Sequence, residues 1–420
     1  MADLESLKSR YEALKSQNLA LDMTRGKPSQ AQLDLSLPLL SILKETDYTT
    51  AAGVDCRNYS SPDLLAGLGE LKALFAECYD LKEENIILGG NSSLKLMYDV
   101  IAAAMLYPLP DADVSWSKAS SVKFLCPSPG YDRHFTICEA LGIQMIPVKL
   151  TGDGPDMDEV EKLVLNDSSI KGIWCVPKYS NPTGEVYSDK VIQRLASMAT
   201  AAKDFRIFWD NAYAVHYLHD EPAEILDIFS ACDQVGHANR VFSFASTSKI
   251  TFAGGGVALV AAGDENVAWF KQKLSYQTIG YDKLNQLRHL NFLETKAGLL
   301  NHMRQHARIL KPKFDAVLRV LDKELGNDGQ FATWTEPDGG YFISLDTKHG
   351  LAKQVVQMAN EAGVKLTKAG ATYPYGEDPL DANIRIAPSM PTVAEIVQAS
   401  EVLALCIQIA TLQADAHCVV

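Results

Sequence analysis

The run Val241-Phe242-Ser243-Phe244-Ala245-Ser246-Thr247-Ser248-Lys249 governs the reading of the whole chain. Val241, Ser243 and Ala245 alternate with Phe242, Phe244 and Ser246, the two-residue period of a β-strand, so Lys249 emerges just past the strand beside two hydroxyls. Working outward, similar short β-rich runs fall at 86–88, 124–126, 145–148, 173–176, 207–209 and 257–261. Amphipathic stretches of helical length, such as 94–106 and 188–203, lie between most of them. This alternation predicts an α/β fold, a mostly parallel seven-stranded sheet sandwiched by helices. After about residue 265 the pattern changes to long helices at 265–274 and 282–324, then to an α+β segment with strands at 339–345 and 383–386. Leu4, Leu7, Tyr11 and Leu14 predict an N-terminal helix, and Gly26 and Pro28 break any regular element after it. Thr392-Val393-Ala394-Glu395 spells a capping box that opens a closing helix. The expected organisation is a large ligand-binding domain over 45–300 and a smaller α+β domain made of 1–44 with 301–420, without repeats or a flexible linker.

Bulk properties remove several functions. The 420 residues are 47% hydrophobic and 22% charged, ordinary for a globular chain with more than one core. A net charge of −13 argues against nucleic acid or an anionic membrane as partner, so an anionic substrate must be met by a few local cations. No apolar run is expected to reach the roughly 18 residues of a membrane span. Met1-Ala2-Asp3-Leu4-Glu5 lacks the segments of a signal peptide, and Cys418 stands one position late for a prenylation box. The eight cysteines contain no Cys-x-x-Cys pair, and Cys126, Cys175 and Cys406 lie in apolar runs. They read as buried free thiols in a reducing cytoplasm.

In parallel sheets ligands collect beyond the carboxyl ends of the strands, where Asn181-Pro182-Thr183-Gly184, Asp210-Asn211-Ala212-Tyr213 and Ser246–Lys249 are all expected. A lysine, an aspartate and an asparagine placed there are what a pyridoxal phosphate site requires. Lys249 supplies the Schiff-base amine, Asp210 holds the pyridinium nitrogen protonated, and Asn181 with Tyr213 reaches the ring hydroxyl. Each has a plainer reading alone: a loop lysine, a helix cap and a turn. A carboxylate ending the apolar run 205–209 is costly to bury without a cation, and the three in order outweigh the plainer readings. Gly90, Asn91 and Ser92 lie between a strand and a helix, where main-chain N–H groups and the helix N-terminus suit a phosphate; Ser246 and Ser248 add hydroxyls. Tyr131, after the next strand, is placed to stack on a planar ring. Arg385 lies in an apolar strand and needs a planar anion, either a substrate α-carboxylate or an internal salt-bridge partner. His302 with His306, and His216 with His219, lack a third metal ligand, so no metal is expected. No Gly-x-Ser-x-Gly elbow is present, nor a basic stripe with interleaved aromatics.

With these residues assembled, residues 21–385 resemble the fold type I pyridoxal phosphate enzymes, specifically class I aminotransferases. The resemblance is strongest to a divergent bacterial aspartate aminotransferase branch with Thr-Arg-Gly-Lys-Pro near the start, here 24–28. Arg57-Asn58-Tyr59, the Gly-Asn-Ser-Ser turn at 90–93 and Ser246-Thr247-Ser248-Lys249 suit that branch as well. The resemblance implies that Lys249 forms the internal aldimine and shuttles the substrate proton, that Asp210 and Asn181 tune the ring, and that Tyr131 stacks on it. It also implies that Arg385 binds the α-carboxylate with Gly26 against the same group. By the same resemblance Tyr59 reaches the cofactor phosphate across a homodimer interface, giving two shared sites. One departure stands out: many class I members carry a phosphate-binding arginine shortly after the lysine, and 250–257 holds no cation here. Arg57 is the residue to test as its replacement.

The expected activity is ping-pong transfer of an α-amino group, from aspartate or another dicarboxylic amino acid to 2-oxoglutarate. Arg25, Lys27, Arg133, Lys178 and Arg288 are unranked candidates for the second carboxylate. Aminotransferases of aromatic amino acids or kynurenine, and β-lyases, share the same anchors. A non-catalytic regulatory domain of this fold would follow a winged-helix DNA-binding domain, and only about twenty residues precede the first motif.

Overall fold

The structure, a computed structural model, describes residues 4–326 and 328–418, so the readings at residues 1–3, at the Cys418 side chain and at residues 419–420 lie outside what it describes. Its strands are β1 (Leu21–Asp22), β2 (Ile86–Leu88), β3 (Lys123–Ser128), β4 (Gln144–Lys149), β5 (Ile170–Cys175), β6 (Arg206–Asp210), β7 (Val241–Ser246), β8 (Ala258–Ala262), β9 (Ala332–Trp334), β10 (Ile343–Thr347), β11 (Val364–Lys365) and β12 (Asn383–Ile386). Seven of them form one sheet in the order β2-β8-β7-β6-β5-β3-β4. All neighbours are parallel except β8, which runs antiparallel to both β7 and β2.

The sheet is apolar on both faces because both are covered. Along β7, Phe242 and Phe244 pack with Leu96, Val100 and Phe270 of two helices, whereas Val241 joins Ile192 and Leu195 on the other face. Phe208 of β6 stacks against both phenylalanines at 6.1 Å. The seven described cysteines are free, six of them buried.

A second region surrounds the antiparallel sheet β12-β10-β9. The N-terminal segment packs with it: β1 pairs in parallel with β11, and Tyr11 donates to the carbonyl of Met358. The closing helix, Val393–Cys418, opens on the expected capping box, with Thr392 N–H donating to Glu395 at 2.7 Å. Contrary to the expectation of no such run, Val393–Ala416 is long and apolar enough to span a membrane by length and composition. Ile396, Ala399, Val402, Leu403 and Ile407 are nevertheless buried in the core, where the helix packs on Lys296–Leu325.

Three element boundaries differ from expectation. The stretch 282–324 is two helices, Lys283–Leu293 and Lys296–Leu325, because Glu294 turns to a positive φ and Thr295 caps the second helix on Gly298 N–H. The helix after Ser188 stops at Ser197. The strand expected from residue 339 begins at Ile343, and Gly339 makes only an isolated bridge to Tyr217.

Candidate active site

The carboxyl ends of β3, β5, β6 and β7 lie along one edge of the sheet. Asp210 closes β6 and is only 3% exposed. Its Oδ2 meets His134 Nε2 at 3.0 Å, while Oδ1 is buried with no hydrogen-bond partner. His134 lies in the first turn of the helix Asp132–Ala140 after β3, its ring stacked on Trp174 at 4.1 Å. The sequence reading missed His134; its position three residues after Tyr131, on the same helical face, was the available signal.

Lys249 follows β7 as expected. Its Nζ lies 5.0 Å from the Tyr213 ring centre and 5.9 Å from that of Tyr341. Burial pushes its amine below the ordinary lysine range, opposed by Asp210. Burial likewise drives the Tyr213 hydroxyl well up, and it raises that of Tyr131 to about 12 with Asp210 adding to the effect. Behind the lysine, Gln32 donates to the Tyr341 hydroxyl at 2.8 Å, and His302 meets the carbonyl of Ile250 at 2.7 Å. His302 and His306 thus belong to a hydrogen-bonded pair at 3.1 Å, with His306 depressed to about 3 by burial and its neighbour.

Two segments separated by some 150 residues meet just before Lys249. Ser246 donates to Ser248 at 3.1 Å, and Ser248 donates to the carbonyl of Asn91 at 3.0 Å. Ser92 is the N-cap of the helix Ser93–Leu106 with its side chain unused, so this helix presents free N–H groups beside Gly90 and Asn91.

Arg385 enters from β12. Its Nη1 donates to Asp132 at 3.0 Å and to Asn181 Oδ1 at 3.4 Å, and its Nη2 to Thr367 at 3.3 Å. The internal salt bridge that the sequence allowed is therefore present at Arg385. Its guanidinium lies 4.9 Å from the Phe342 ring. A Cβ on Gly26 would sit 2.6 Å from that ring, so glycine lets the 24–28 loop close against it. The turn carrying Asn181 contains a cis bond to Pro182 and Gly184 at φ 73°, where a Cβ would lie 2.3 Å from Pro337.

Tyr59 and Arg57 stand apart from this cluster. Tyr59 is 82% exposed on a loop pinned by Lys283, which donates to the carbonyl of Asn58 at 2.7 Å. Arg57 is held by Asp55 at 2.7 Å and lies over Tyr48.

A family model for aspartate aminotransferases matches residues 1–417. The chain belongs to the aspartate aminotransferase family. A Corynebacterium glutamicum aspartate aminotransferase is 45% identical over 406 residues, 97% of this chain and 93% of that one. A Mycolicibacterium smegmatis protein named as an aminotransferase is 48% identical over 99% of this chain and 96% of its own. The crystal structure of an aspartate transaminase from C. glutamicum superposes with a TM-score of 0.95 at 44% identity, covering 98% of this chain and 96% of the other. The chain is thus an aminotransferase, an enzyme class that acts on an amino acid and an oxo acid.

Proposed function

We propose that this aminotransferase uses pyridoxal phosphate bound at Lys249 to transfer the α-amino group of aspartate to 2-oxoglutarate in two half-reactions. The observation that carries this reading is Asp210 Oδ1, a buried carboxylate oxygen without a partner beside a desolvated lysine. Such an oxygen is costly unless a cation or donor completes it, and a protonated pyridine nitrogen fits. The unused N–H groups at 90–93 with the hydroxyls of Ser246 and Ser248 fit a phosphate, and Tyr131, Asn181 and Tyr213 flank the space between.

When bound, the cofactor supplies an electrophilic carbon and an electron-withdrawing ring. The remaining work falls to the chain. Lys249, kept low in basicity by burial, would take the proton from the substrate α-carbon and deliver it to the electrophilic carbon the cofactor supplies. His134 fixes one oxygen of Asp210 and so aims the other. Arg385 holds the α-carboxylate, with Asn181 alongside and Gly26 leaving room. The second carboxylate needs its own cation, for which Arg25, Lys27, Arg133, Lys178 and Arg288 remain the candidates.

Exposed Leu40, Tyr59, Tyr276 and Ile279 support a homodimer in which Tyr59 reaches the partner's phosphate site. The free thiols support a reducing, cytoplasmic setting. The 45–300 and 1–44 plus 301–420 division is retained, with the pairing of β1 and β11 in its favour.

The test is a donor profile of the purified holoenzyme with 2-oxoglutarate as acceptor. Aspartate should give the highest kcat/KM; a preference for phenylalanine or kynurenine would overturn the assignment of donor.

A further inference from the structure

Arg385 is 6% exposed, and a guanidinium so buried is costly without an anion. Among the described residues its ion-pair partner is Asp132, and the contact is single, Nη1 to Oδ1 at 3.0 Å. The remaining donors are poorly used. The contacts to Asn181 and Thr367 are long at 3.4 and 3.3 Å, and Nε is buried with no partner at all. A guanidinium is best matched by two parallel bonds to one carboxylate, and Asp132 does not provide them.

The two partners differ in what separation would cost. The Asp132 side chain is 34% exposed, so water can replace the arginine. It is also the first residue of the helix Asp132–Ala140, where free N–H groups favour a negative charge. Arg385 has no such alternative.

We propose that Asp132 is a placeholder for the substrate carboxylate: it neutralises Arg385 in the empty site and gives it up to an entering carboxylate. This rests on the carboxylate-binding role of Arg385 proposed above. The carboxylate of Asp132 competes with the substrate, so it weakens binding and in exchange keeps the arginine in place between turnovers. Asp132 is a positioning residue, and the competition concerns the α-carboxylate, so mono- and dicarboxylates feel it alike.

The test is calorimetric binding of maleate and of the monocarboxylate valerate to the holoenzyme, for wild type, Asp132→Asn, Asp132→Ser and Asp132→Glu. Both neutral variants should bind both ligands at least fivefold more tightly, with KM for the amino donor falling in step, and Asp132→Glu should return to within twofold of wild type. Unchanged or weaker binding in both neutral variants would overturn the placeholder role. A gain for maleate alone would overturn it too, since Asp132 would then be repelling the distal carboxylate. Wild-type binding that survives Arg385→Ala would instead remove the carboxylate-binding role of Arg385, a failure of the underlying reading.

Discussion

Asp204, two residues before β6, and Asp210, its last residue, are both buried, at 6% and 3% exposed. At the amino end, Asp204 has both oxygens occupied: Lys171 donates to Oδ1 at 2.6 Å and Trp116 to Oδ2 at 2.9 Å. At the carboxyl end, Asp210 has His134 on one oxygen and nothing on the other. β6 is thus flanked at its amino end by a carboxylate completed by the fold and ends on one left incomplete. A structural carboxylate finds its partners within the chain; an oxygen left open at the ligand-collecting end of a parallel sheet is shaped for something the chain does not supply.

The difference can be broken from either side. Asp210→Asn should lower transamination by on the order of 10²–10⁴-fold, as for loss of a catalytic acid or base, while shifting the unfolding free energy by less than about 1 kcal/mol. Asp204→Ala should do the reverse. It leaves Lys171 unpaired at the amino end of the interior strand β5 and should cost about 3–5 kcal/mol in chemical denaturation, with activity per folded molecule unchanged. If Asp204→Ala were as inactive as Asp210→Asn, the two ends would not be distinct.

A smaller loss is expected at the turn that positions Asn181. Gly184→Ala forces a side chain onto φ 73° and against Pro337, which should cost roughly 1–3 kcal/mol in urea unfolding and raise KM. Tolerance of alanine there would mean that the turn does not hold Asn181 in register.

A pH-dependent effect is expected at Glu185, whose carboxyl burial raises to about 8, with the Gly152 N–H opposing. Below about pH 4.5 it is protonated in both folded and unfolded chains. Between about 4.5 and 8 only the unfolded chain releases the proton, so wild-type stability should fall with rising pH and then level off. Glu185→Gln should remove that slope. A wild-type-minus-variant difference that is flat from pH 5 to 9 would contradict the burial of this group.

Much of this arrangement was legible in the chain. β2 to β8 follow from local alternation, and a parallel sheet fixes which strand ends face the ligand, so Asn181, Asp210 and Lys249 could be placed together before any coordinates. What sequence could not supply were relations across the sheet. His134 acquires its role only because the helix after β3 passes over Trp174 of β5 and reaches β6. Asp132 meets Arg385 across 253 residues of sequence, a contact that local pattern does not reveal. The two-residue pairing of β1 with β11 is too short to leave a period, and the break at Glu294 was hidden because the apolar pattern continues through it. Thr295, the cap of the second helix, was the local signal that the sequence reading missed.

The central claim is that Lys249 is the lysine to which the cofactor is joined. Treating the protein with pyridoxal phosphate, reducing with borohydride and mapping the peptides should place the phosphopyridoxyl label on Lys249, with none on Lys178 or Lys283. A label elsewhere, or no label on a folded protein, would contradict the account.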